Sequence, residues 1–120
     1  MEYVIGADAE FLRVTVSGRD IDKPPSALCA AVLEQSARLG RPRILIELDQ
    51  KFPLSPRSQT ELIENLPRLG FTSAHSIALV HRTPVAQMAN QFIDLIAAER
   101  ELMVRTFPDV ESARAWLRTR

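Results

Sequence analysis

Few residues in this chain have the types needed for chemistry, and none sits in a recognisable catalytic motif. His81 closes an apolar run, and a histidine at a strand end can serve as a general base. Asp49 closes a second such run and could orient the imidazole, with Ser55 or Ser58 as the hydroxyl to be activated. No spacing enforces that triad, because there is no nucleophile elbow and no glycine-rich oxyanion loop. His75 falls in a turn. Two histidines without an i,i+4 helical partner, beside the lone Cys29, give no metal site and no disulfide. The expectation is therefore no enzyme, no metal and no cofactor.

The same residues suit anion binding better than catalysis. Lys51, Arg57, His81 and Arg82 could gather positive charge near helix starts at Ser55, Thr83 and Asp109, whose free N–H groups favour anions. The plainer reading is that Ser55, Thr83 and Asp109 are helix caps and Arg82 is solvated. Caps occur at most helices and each stabilises by ~1 kcal/mol without any ligand.

Composition narrows the partner classes. The chain has 120 residues, 46% of them hydrophobic and 25% charged, which suits one ordinary globular domain over 1–120. Lys+Arg and Asp+Glu are both 15, a balance without the cation surplus that nucleic-acid binding needs. No apolar run approaches the ~18 residues of a membrane span, and Met1-Glu2-Tyr3-Val4-Ile5 lacks the charge and apolar length of a signal peptide. A soluble cytoplasmic protein without membrane insertion is expected.

The elements that must hold these residues follow from periodicity. Tyr3–Ala7 and Phe11–Ser17 are expected strands. In the second, Leu12, Val14 and Val16 alternate with Arg13, Thr15 and Ser17, and Ala7-Asp8-Ala9-Glu10 supplies the turn. Pro24-Pro25-Ser26 opens a helix to Leu39, with Leu28, Val32 and Leu39 inward, and Gly40 stops it. Ile44–Leu48 and Ser76–Val80 are apolar runs of the kind buried on both sheet faces. Between them Ser55-Pro56 starts a second helix, which Pro67 should end or kink near Leu66. Thr83-Pro84 starts a third, whose Val85, Met88, Ala89, Phe92, Leu95 and Ile96 form one inward stripe, with Asp94 on the other side. A strand over Leu102–Phe107 and a helix capped by Asp109 complete the chain. Arg38-Leu39-Gly40 and Arg68-Leu69-Gly70 look like a repeat but read as two helix ends. Glu47 within its apolar run requires either a cation or an open sheet face. Cys29 fits as a small apolar filler and Trp116 as the anchor of the last helix.

The expected class is α/β: a mixed five-stranded sheet with four helices in the order ββαβαβαβα, an antiparallel hairpin followed by parallel strands. The Val16-Ser17-Gly18 strand end, Ile44–Asp49, Ile77–Val80 and the closing Ser112-Ala113-Arg114-Ala115-Trp116-Leu117 together resemble STAS-like domains. That group includes bacterial anti-sigma-factor antagonists and has a fold similar to Sec14-type lipid-binding domains. The resemblance covers the whole chain through element order and apolar pattern. Antagonists of the group carry an Asp-Ser dipeptide and a glycine at a helix start, where the serine is phosphorylated. Here Ile46-Glu47-Leu48-Asp49 is followed by Gln50-Lys51-Phe52-Pro53-Leu54-Ser55-Pro56-Arg57-Ser58, without that motif. Ser55 and Ser58 are the phosphorylation candidates in that region. What the resemblance implies is a regulatory module that binds a protein partner or its own copy. A carrier of a small apolar ligand or lipid is the second expectation, and a site for an anionic ligand at the strand ends the third.

Overall fold

The computed structural model describes residues 2–18, 26–50, 56–81, 88 and 91–120. Strands β1 (Glu2–Ala7) and β2 (Leu12–Gly18) are followed by α1 (Ser26–Leu39), β3 (Arg43–Gln50), α2 (Pro56–Leu69) and β4 (Ser76–His81). Helix α3 (Phe92–Glu99), β5 (Met103–Phe107) and α4 (Val110–Arg118) complete the order. The five strands lie in chain order across one sheet, with β1–β2 antiparallel and the rest parallel. This is the α/β class and the element order that the periodicity implies.

The layering follows from connection handedness. Each βαβ step moves one strand further in the same direction, and right-handed crossovers then put α1, α2 and α3 on the same face. The packing agrees. Leu12, Val14 and Val16 of β2, Ile44, Ile77, Leu79 and Val104 join Leu28, Val32, Ile63, Leu66, Ile93, Ile96 and Ala97 in one core. The alternate residues Leu45, Ala78, Val80 and Phe107 form a second core with Ala113 and Leu117 of α4 on the opposite face. Phe11, from the hairpin turn, also belongs to this second core.

Because α4 is the only helix among the described residues packed on that face, its coverage is incomplete. Strand β4 is buried at every position. In strand β3, Ile44 and Leu45 at its start are buried, one on each face, while Ile46, Glu47 and Leu48 are only partly so. Further along, Glu47 reaches an open part of the face and meets Arg13 of β2 at 3.1 Å. Of the two ways to accommodate Glu47 in an apolar run, a cation or an open face, both are present.

The helix ends explain several local features. At α1, Gly40 (φ 64) sits in the left-handed region while Arg41 N–H donates to the Ser36 carbonyl at 2.9 Å. At α2, Gly70 (φ 118) takes the same place and Phe71 N–H donates to the Leu66 carbonyl at 3.0 Å. Both are Schellman closures, so the apparent repeat is a pair of helix ends. Pro67 does not end α2 at Leu66. The helix continues to Leu69, because a proline in the last turn forfeits one bond while Gly70 N–H still reaches the Pro67 carbonyl at 3.1 Å.

Two apolar stripes need correction. In α1, Leu28 and Val32 are buried as expected, but Leu39 is exposed at the helix end. In α3 the inward residues are Ile93, Ile96 and Ala97. Phe92 and Leu95, expected inward, are 41% and 58% exposed, and Met88 is 69% exposed. Thr83, Pro84, Val85 and Ala89 lie outside the described residues, as do Pro24 and Pro25. The reason for the shift is that α3 is apolar nearly all round its circumference, so periodicity alone leaves its rotation open.

Candidate functional site

Parallel pairing brings the carboxyl ends of β2 to β5 to one edge of the sheet, where ligands of open α/β sheets gather. At this edge Asp49 stands in register with Ser17, and His81 with Leu48. His81 is therefore one residue short of Asp49 in the ladder. Arg57 and Ser58 lie in the first turn of α2, which begins six residues after β3 ends. Lys51, Ser55, Arg82 and Thr83 fall outside the described residues.

The two described basic residues contribute little net positive charge. His81 is 3% exposed, and burial pushes its imidazole down to about 4 from the ordinary 6.5, so it is neutral near pH 7. Arg57 is exposed, and its Nε reaches the Glu61 carboxylate at 3.1 Å within the same helix. No three of His, Cys, Asp or Glu are gathered closely enough to hold a metal ion among the described residues. Cys29 is partly buried against the core, and its desolvation pushes the thiol up to about 11, which suits a filler rather than a nucleophile at neutral pH.

Other residues are arranged by this fold in ways that the sequence does not announce. The carboxylate of Asp94, on α3, accepts the backbone N–H of Thr106 at 2.7 Å and the Thr106 hydroxyl at 2.9 Å. It thereby ties α3 to the edge strand β5, whereas spacing along the helix had assigned it to the solvent side. No local signal marks such a contact, since its partner lies in another element. Asp109 does cap α4, accepting the Ser112 N–H at 2.7 Å, and that bond holds its carboxyl below the usual range. Trp116 packs on Phe107 with ring centroids 5.5 Å apart, anchoring α4 to β5 as expected. The hairpin turn is closed by Asp8, whose carboxylate accepts the N–H groups of Glu10 and Phe11 at 2.8 and 2.7 Å.

On α3, Phe92 and Leu95 stand three residues apart with their side chains exposed, and Met88, which precedes the helix, is exposed as well. Of the expected inward stripe, Ile96 is buried while Phe92 and Leu95 face outward, a rotation that emerges only from the packing of Ile93, Ile96 and Ala97. Compared with known proteins, the chain matches no protein family, no curated protein and no solved structure.

Proposed function

We propose that this protein is a non-enzymatic interaction module of STAS-like type, which docks a protein partner on the outer face of α3 beside the strand-end edge. The observation that carries this reading is the exposure of Phe92 and Leu95, one turn apart on α3, with Met88 exposed ahead of the helix. Single exposed apolar residues need no explanation, but an aligned set is the pattern of a helix face used in recognition. The antiparallel opening hairpin and the order ββαβαβαβα support the STAS-like part of the reading.

The competing readings receive less support. A buried imidazole with its pKa near 4 is a poor general base at neutral pH, which favours a module without catalysis. Of the two described basic candidates for an anionic ligand, Arg57 pairs with Glu61 on the helix surface and His81 is neutral near pH 7. For an apolar-ligand carrier, Met88 and Phe92 would have to line an interior space, yet both face outward while Ile93 and Ile96 seal α3 onto the sheet.

Site-specific photo-crosslinking in the native cell tests the proposal. A crosslinker at Leu95 should give a discrete protein adduct, either with a partner or with a second copy, and one at the exposed Arg57 should not. Equal labelling from both positions, or no adduct from Leu95, would overturn it.

A further inference from the structure

Strand β5 ends the sheet, and its free edge opens into a cleft of about 350 Å³. The floor is Met103, Val104 and Arg105; Ala98 and Glu101 stand on one side, and Trp116 and Arg120 on the other. Backbone direction in this strand follows from Asp94. Since its carboxylate takes the Thr106 N–H, that group points away from β4. A residue in a parallel strand aims its N–H and C=O to the same side, and the next residue aims them oppositely. Val104, two residues earlier, therefore turns its N–H and C=O to the free edge, within the cleft. Asp94 closes the edge beyond it, which limits the open stretch to a short segment.

The walls differ in charge. Arg120 lies over the Trp116 ring at 5.0 Å and Arg105 over Phe107 at 6.0 Å. Neither guanidinium has a carboxylate partner among the described residues, whereas Arg13, Arg57, Arg100 and Arg118 each do. On the α3 side the charge is negative, from Glu101. That residue has φ 58, in the position where α1 and α2 carry Gly40 and Gly70. Glu101 N–H donates to the Ala98 carbonyl at 3.2 Å and Leu102 N–H to the Ala97 carbonyl at 2.9 Å, so α3 has the same Schellman closure. A side chain in the left-handed region is retained here at a conformational cost that glycine would avoid.

We infer that the β5 edge is a second binding site, which takes a short extended peptide segment of a partner protein as a sixth strand. The segment carries an acidic side chain toward Arg105, Trp116 and Arg120. Its neighbours, basic or small, face Ala98 and Glu101, because successive side chains of a strand point to opposite faces. This site is separate from the outer face of α3.

The probe is the blocked peptide acetyl-Val-Lys-Glu-Lys-Val-amide, compared with its charge-swapped counterpart acetyl-Val-Glu-Lys-Glu-Val-amide. Trp116, the single tryptophan, reports binding by fluorescence. The amide resonances of Val104 and Arg105 report whether the backbone edge is engaged. Saturable binding of the first peptide is expected, with shifts centred on Val104 and an affinity about tenfold or more above that of the swapped peptide. The double variant Arg105→Glu, Arg120→Glu, altered only at exposed positions, should invert that preference while circular dichroism stays unchanged. Phe92→Asp, which disrupts the α3 face, should leave peptide binding intact. Absence of saturation at millimolar peptide, equal binding of both peptides, or shifts centred away from β5 would each overturn the inference.

Discussion

At the residue scale, the group with the clearest measurable consequence is His81. Its folded-state pKa, about 4, lies below the ordinary 6.5, so protonation favours the unfolded chain. The stability it contributes is complete above about pH 6.5 and is lost as the pH falls toward 4, by on the order of 3 kcal/mol at most. An NMR titration should therefore find the His81 ring neutral through pH 5, and denaturation midpoints should decline over that interval. A ring that titrates near 6.5 would remove the basis for treating His81 as a buried neutral group. Cys29 offers a second check. With burial raising its pKa to about 11, the native protein should react with iodoacetamide at pH 8 far more slowly than the urea-unfolded chain. The filler role of Cys29 was legible from its apolar neighbours Leu28 and Ala30. The Asp94–Thr106 link was not, because twelve residues and a change of element separate the partners.

At the element scale, three helices close in the same way with different residues at the left-handed position. Gly40, at φ 64, has open space around a would-be Cβ, so Gly40→Asn should cost only a few tenths of a kcal/mol to about 1 kcal/mol. Gly70, at φ 118, lies outside what an L side chain adopts readily, and its added Cβ would meet Leu33 Cδ2 at 3.1 Å. Gly70→Asn should accordingly cost more, about 1–3 kcal/mol. Glu101→Gly should go the other way and stabilise by roughly 0.5–1 kcal/mol, as relief of the left-handed strain exceeds the loss of unfolded-state order. Urea midpoints of the three variants give the ranking directly. The glycine-marked ends could be read from the sequence. The third could not, since nothing about Glu101 in isolation signals a positive φ.

At the scale of the molecule, the two faces of the sheet are unequally covered. Among the described residues, three helices cover one and α4 part of the other, and the rotation of α3 decides which of its apolar residues remain outside. That arrangement sets a contrast between two leucines. Leu45→Ala, at a fully buried position beneath α4, should destabilise by about 2–5 kcal/mol. Leu95→Ala, more than half exposed, should stay within about 0.5 kcal/mol of the wild type. If Leu95→Ala proved as costly as Leu45→Ala, the outward face of α3 and the interface proposed on it would both be lost.

The strands that carry Asp49 and His81 and the helix that carries Ser58 could be read along the chain. Strand periods, helix caps, glycine stops and the alternation after the hairpin are local, and each is written in a few consecutive residues. The five strands and four helices among the described residues, and their order, therefore follow from the sequence itself. Three further features depended on what packs against what. Burial beneath neighbouring elements made His81 a neutral buried group. The seating of Ile93 and Ile96 turned Phe92 and Leu95 outward. The juxtaposition of α3, β5 and α4 placed Arg105 and Arg120, without carboxylate partners among the described residues, beside an open strand edge. Each is a relation between segments distant in sequence, and burial and charge pairing at a residue depend on its neighbours in space.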